Sequence, residues 1–302
     1  MQGNPVYGNL SGNSSYPKRS QPAAMYVLLY FFSASLVILT VCGNLLVIIS
    51  ISHFRQLHTP TNILVLSLAV ADLSIGIFGI PFAMIKTIEN CWYFGEIFCL
   101  VYNLITFIST SVSISNLVFI AVDRYVAVCD PLRYTSTITV SFAGYFTALG
   151  WVFSLVYTVI IISINGIDSS EGQDGCPHDC FVILSEHAKI ISNTIQDYKQ
   201  GKKNISKKSE RKAAKTLGIV MGVFLLCWVP YYLCGLIDSY LNFNAPPIVK
   251  NIFIWLAYFN SSVNPIIYAL FYPWFQKSAK LIITLKILSP ESSLVSLFSH
   301  SH

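Results

Sequence analysis

The chain has 302 residues, 54% of them hydrophobic and only 11% charged, with mean hydropathy +0.60 and a formal net charge of +5. A soluble domain carries roughly 25% charged residues, so most of this surface must face lipid rather than water. The small positive balance is gathered in clusters, which excludes a nucleic-acid groove and suits a cytoplasmic membrane flank.

Residues 1–24 are polar and read as an extracellular N-terminus. They lack the basic, apolar and small-residue order of a cleaved signal. Two N-x-S/T sequons, at Asn9 and Asn13, lie close together there. A single sequon arises often by chance; two in a polar leader favour glycosylation and an outside start.

About 20 apolar residues are needed to cross the hydrocarbon core. By that measure clear spans start at Met25 ("MYVLLYFFSASLVILTVCGNLLVIISI") and Asn62 ("NILVLSLAVADLSIGIFGIPFAMI"). A third runs from about Ile97 to Val128 and a fourth from Val140 to Ile164. Two more start at Ala213 ("AAKTLGIVMGVFLLCWVPYYLCGLI") and Ile248 ("IVKNIFIWLAYFNSSVNPIIYALFY"). "WFQKSAKLIITLKIL" is too charged to span and reads as a helix lying in the interface. A transmembrane domain over 25–288 and a cytoplasmic tail over 289–302 follow.

An outside start places "HFRQLH" and "DRYVAVCDPLRY" inside, where their arginines belong, and "GQDGCPHDC" outside, where cysteines oxidise. The parity then fails. Between Glu186 and Thr216 stand nine lysines and arginines against three acids, a block that belongs inside, yet four spans leave it outside. "FVILSEHAKII" offers four apolar residues before Glu186, His187 and Lys189, too few to cross. A fifth helix is therefore expected to be largely absent around 181–195. The eight cysteines show no recurring CxxC pair at zinc spacing, so metal ligation by cysteine is not expected.

Polar residues inside the apolar runs stand in a recognisable order. Asn44 lies in "GNLLV", Asp72 in "LSLAVADL", and Asp123, Arg124 and Tyr125 in "SNLVFIAVDRYVAV". Trp151 follows, then "CWVP" from Cys227 to Pro230 and "NPIIY" from Asn264 to Tyr268. Six such motifs in sequence resemble the rhodopsin-like (class A) G-protein-coupled receptors over nearly the whole chain except the fifth helix. "ENCWYFGEIFC", "SVSISNLVFIAVDRYVAVCDPL" and "NSSVNPIIYALFYPWFQKSAKLI" look most like the trace-amine-associated receptors. The implied fold is an all-α membrane bundle with six clear transmembrane helices, a truncated fifth and a C-terminal interfacial helix.

The resemblance implies roles residue by residue. Asp72, with Ser113, Asn260, Ser261 and Asn264, would bind a sodium ion, a hard cation suited to oxygen ligands; the plainer reading is a hydrogen-bonded polar network. Asp123, Arg124, Tyr125, Glu210 and Tyr268 would form the switch that meets a G protein, with Glu210 locking Arg124 in the resting state. Against this stands a snorkelling interfacial arginine. Cys99 and Cys180 would form the outer disulfide. Related receptors often bridge the outer loop to an N-terminal cysteine, but none precedes Cys42 here, which leaves Cys176 unpaired or competing with Cys180. Cys42, Cys129, Cys227 and Cys234 read as small apolar fillers or thiols.

Amine receptors hold ammonium with an aspartate five turns, about 18 residues, outward of that arginine. Thr106 stands there and cannot neutralise a cation. No acid from a fifth helix replaces it, and Asp238 reads as a solvated helix-end charge. Phe107 and Thr110 share the face of Thr106. Trp228, Tyr231 and Tyr232, and Trp255 and Tyr258, complete an aromatic ligand pocket whose faces can hold a cation by about 0.5–2 kcal/mol. Trp228 beside Pro230 is a candidate hinge.

The function implied is that of a plasma-membrane receptor sensing a small volatile ligand, an amine by resemblance, and signalling through a heterotrimeric G protein. The alternative is a truncated, non-signalling product retained inside the cell, because removing a helix exposes interior faces to lipid. An enzyme is not expected, as no phosphate loop, HExxH or Ser–His–Asp arrangement is present. Nor does a repeat or polar stripe suggest a channel or transporter.

Overall fold

The computed structural model describes residues 23–89, 91–130, 134, 137–165, 180, 218, 222–235, 237, 245–289, 292 and 295–297. Every long element among them is helical. Helix α1 spans Ala23–His53, α2 Pro60–Ser74, α3 Ile80–Glu89, α4 Gly95–Cys129 and α5 Val140–Asn165. Helix α6 spans Gly222–Gly235, α7 Pro247–Phe271 and α8 Pro273–Ile283.

Local chemistry explains the boundaries. Thr59 caps α2 by accepting from the Asn62 amide at 3.3 Å, and Pro60, whose missing N–H costs nothing at a helix start, follows it. Between α2 and α3 the chain stays helical but widens into a π turn over Ile75–Gly79, where the Ile80 amide reaches back five residues to the Ile75 carbonyl. Gly95 opens α4 at φ +75°, a conformation that only glycine adopts without strain. Tyr272 alone separates α7 from α8, and Pro273 starts the latter.

Among the described residues four helical stretches are long and apolar enough to cross a membrane: Ala23–His53, Pro60–Glu89, Gly95–Ala127 and Val140–Ile164. The span expected from Ala213 appears among the described residues as the shorter apolar helix α6. Helix α7 has 25 residues, roughly 37 Å, long enough to cross; its polar positions Asn260, Ser261, Ser262 and Asn264 are all buried. Apolar side chains on α1 and α5, such as Phe31, Val152 and Phe153, are exposed, as lipid-facing positions are. The expected gap at 181–195 lies outside the described residues, as do Asn9, Asn13, Cys176, Glu210 and Asp238.

Two apolar clusters make up the core among the described residues. One gathers Ile51, Phe54, Leu57, Leu68, Leu117 and Tyr268; the other gathers Ile80, Met84, Trp92, Cys99, Tyr102 and Tyr258. Helices α1 and α7 approach so closely that a Cβ on Gly43 would lie 2.7 Å from Pro265. Part of the tail folds back: Leu297 is fully buried in the first cluster, its amide donates to Gln56 Oε1 at 3.2 Å, and Gln56 Nε2 donates to the Val295 carbonyl at 3.2 Å.

Candidate functional site

The end of α4 nearest its N-terminus carries the disulfide. Cys99 and Cys180 are bonded, with Cα atoms 5.8 Å apart. One turn along α4, buried Asn103 donates to the Cys99 carbonyl at 2.8 Å and reaches both sulfurs at 3.3 Å. Lys86 of α3 donates to the Cys180 carbonyl. Trp92 is buried against Phe94, Phe98 and Tyr102 and donates its indole N–H to the Gly95 carbonyl at 2.9 Å. Cys91, to which the sequence pattern attached no role, is also disulfide-bonded. Cys42, Cys129, Cys227 and Cys234 are thiols.

Below that cap lie the residues expected to meet a ligand. The hydroxyls of Tyr102 and Tyr258 join α4 to α7 at 2.8 Å. Thr106 donates to the Tyr102 carbonyl at 2.7 Å, so its hydrogen is spent within its own helix and it faces outward only as an acceptor. Thr110 is buried and Phe107 half-buried. Trp228 stacks on Tyr232 with ring centres 5.6 Å apart and meets Tyr231 edge-on at 6.2 Å. Its indole N–H is buried without a hydrogen-bond partner among the described residues. Trp255 packs against Phe32 of α1, 5.4 Å away. The carboxylate of Glu89, at the end of α3, accepts from Tyr30 at 2.7 Å.

At mid-bundle stands a layer of buried polar groups. Asp72 is fully buried; Asn264 Nδ2 donates to its Oδ2 at 2.8 Å, Ser113 Oγ to its Oδ1 at 3.4 Å, and Ser261 also bonds it. No cationic side chain among the described residues pairs with it. Asn44 bonds the Thr40 and Ser261 carbonyls at 2.9 and 3.1 Å, and Thr40 shares a 2.6 Å bond with Ser262. Ser67 receives Asn116 and Trp151 at 2.9 and 3.0 Å, tying α2 to α4 and α5. Asn260 is buried in the same layer. Motif residues far apart in the chain thus converge on one level.

At the other end Arg124 is held in a closed cycle. Its guanidinium pairs with Asp123 at 2.7 Å. It also donates to Thr61 Oγ1 and, at 2.9 Å, to Tyr134 Oη. Thr61 and Tyr134 in turn donate to the two oxygens of Asp123 at 2.7 and 2.9 Å. Burial raises the Tyr134 phenol above its ordinary value, with Arg124 pulling the other way. Nothing in the motif pattern singles out Thr61 or Tyr134; their placement at the start of α2 and just after α4 is the only signal. Tyr268 is buried edge-on to Tyr272 at 5.8 Å and to Phe275 at 6.4 Å, whereas Tyr125 is exposed.

The family model described as "7 transmembrane receptor (rhodopsin family)" matches residues 43–198 and 180–268. The chain is 40% identical to trace amine-associated receptor 13c of Danio rerio, with 95% of this chain and 94% of that protein covered. Identity is 37% to receptor 4 of that name from Mus musculus, over 95% and 94% of the two chains, and 38% to receptor 1 from Macaca mulatta, over 90% and 92%. The alignment to the Danio rerio protein runs over 322 positions against 302 residues here, so that protein holds residues with no counterpart in this chain.

Proposed function

The chain belongs to the rhodopsin family of seven-transmembrane receptors, multi-pass membrane proteins and not enzymes, and is most like the trace-amine-associated receptors; on that premise we propose that it senses a small volatile amine and signals through a heterotrimeric G protein. The observation that carries this reading is the closed cycle on Arg124. The Nε and Nη2 groups of that arginine are held by Asp123, Thr61 and Tyr134, so those groups reach a cytoplasmic partner only when the cycle opens. An element with two such arrangements is what a ligand at the far end can bias.

The aromatic set supports a small organic ligand, and π faces support a cation where Thr106 supplies no charge. Asp72 supports sodium binding: a buried carboxylate is costly without a countercharge, and its oxygens with those of Ser113 and Ser261 suit a hard ion. A bound ion would supply that countercharge. The N-terminus would lie outside, with sugar on Asn9 and Asn13.

A second reading rests on a separate observation. The basic block after Cys180, and the surplus of positions in the Danio rerio relative, fit a fifth helix largely missing at 181–195. Such a chain would be retained inside the cell and silent. The two readings part in one experiment: the 302-residue chain, tagged at its N-terminus, is stained on intact cells and challenged with volatile amines while cAMP is recorded. A response supports the receptor reading. Surface staining without any response sinks the amine assignment, and absence from the surface establishes the truncated product. A transcript sequenced across Leu184 to His187 that holds about 25–35 further apolar codons would place the gap in the gene model instead.

A further inference from the structure

A cleft of about 320 Å³ lies between α8 and the returning tail. Lys277 and Lys280 of α8 and Lys286 just beyond it line one side, and Val295, Ser296 and Leu297 line the other. Among the described residues no carboxylate lines it. We propose that this cleft binds the phosphorylated headgroup of a lipid, an inositol bisphosphate held in the leaflet on which α8 lies, and that the headgroup fastens the tail to α8.

Local structure gathers the three lysines. Lys277 and Lys280 stand three residues apart, neighbours on one face of a helix. Leu285 then adopts φ +56°, a left-handed conformation that a bulky side chain rarely takes, and the turn it makes leaves Lys286 lining the same cleft. The carbonyls ending α8, which would repel an anion, are occupied: the Thr284 amide and hydroxyl donate to Lys280 at 3.0 and 2.7 Å, and the Leu285 amide to Ile282 at 3.0 Å. Like charges gathered around one cleft repel each other, and a multivalent anion between them replaces that repulsion with attraction. The opposite wall is anchored. Leu297 is fully buried, Gln56 holds its amide and the Val295 carbonyl, and His53 Nε2 meets Ser292 Oγ at 3.0 Å.

The rim indicates where the anion comes from. Ile283, Leu285 and Leu288 are strongly exposed beside the lysines, an apolar fringe that a bilayer would cover and a soluble phosphate would leave in water. Pockets for small organic ligands start at about 300 Å³, so the space suits one headgroup. The assignment needs the chain to be membrane-bound and stands whether or not it signals.

Full-length protein purified in detergent is titrated with phosphatidylinositol bisphosphate, and bound lipid is counted by native mass spectrometry. One tightly held lipid per chain is expected. The double variant Lys280→Gln, Lys286→Gln should bind it roughly 30-fold more weakly, given the attraction that each surface lysine contributes to an anionic lipid. Lys280→Arg with Lys286→Arg should bind as the original does. Gln56→Ala keeps all three lysines but loosens the tail, and several-fold weaker binding is expected. Unchanged affinity in the double glutamine variant overturns the site, as does equal retention of phosphatidylserine supplied at the same total charge. Soluble inositol trisphosphate binding as tightly as the lipid overturns the lipid assignment, and unaltered binding in Gln56→Ala overturns the coupling to the tail.

Discussion

Tyr134 donates to Asp123 Oδ1 at 2.9 Å across eleven positions of chain, and the same oxygen of Tyr134 accepts from Arg124 at 2.9 Å. Thr61 repeats the arrangement from α2 with the other carboxylate oxygen. Two hydroxyls therefore bridge an ion pair from opposite sides, and each polarises in the direction that strengthens the pair.

Removing one bridge should loosen the resting arrangement. A hydrogen bond to a charged group contributes about 1.5–3 kcal/mol, so Tyr134→Phe is expected to raise basal signalling by roughly 10- to 150-fold at most, with Thr61→Ala acting in the same direction. The double variant should fall short of additivity because both act on one carboxylate. Basal cAMP at matched surface expression reads this out; unchanged basal activity in both single variants would dismiss the cycle as a switch.

Sodium binding at Asp72 has a thermodynamic signature that needs no ligand or G protein. A cation that binds only the folded state stabilises it as its concentration rises. Purified protein should melt at a higher temperature in NaCl than in choline chloride of equal ionic strength, and Asp72→Asn should abolish the difference. Equal melting of the original protein in the two salts would leave a plain polar network.

The contact of Gly43 with Pro265 sets a limit on α1. Gly43→Ala puts a methyl 2.7 Å from the proline ring, and neither helix backbone can yield cheaply. A loss of about 1–3 kcal/mol is expected, seen as earlier thermal unfolding in detergent and lower yield. Gly144→Ala, with open space around it, should be neutral and serves as the control.

Topology is testable through sugars. Asn9 and Asn13 are expected to carry glycans removable by glycosidase, and Asn204, a third sequon within the basic block, none. Sugar on Asn204 would place that block outside and refute the receptor orientation.

Much of this arrangement was readable from the chain, for a physical reason. Buried polar residues in apolar helices are costly, so Asp72, Asn44 and Asn264 stand out and the structure brings them to one level. The disulfide between Cys99 and Cys180 likewise follows the family pattern. What escaped were partners with no periodic signature. Thr61 and Tyr134 look like ordinary loop-flanking hydroxyls, and Asn103 declares its link to the disulfide only once Cys180 is folded over it. Gln56 shows its grip on the tail only through two main-chain partners some 240 positions away.

The π turn at Ile75–Gly79 finally sets the phase of everything that follows it. One residue more per turn shifts the remaining helix by about 100° relative to an unbroken α-helix. Ile80, Met84 and Ile88 owe their inward aim to that shift, and so does the reach of Lys86 to the Cys180 carbonyl. Deleting a single residue from "IGIFG" would restore ideal hydrogen bonding locally while turning that whole stripe toward lipid. The irregular turn works as the keyway that indexes one half of the helix against the other.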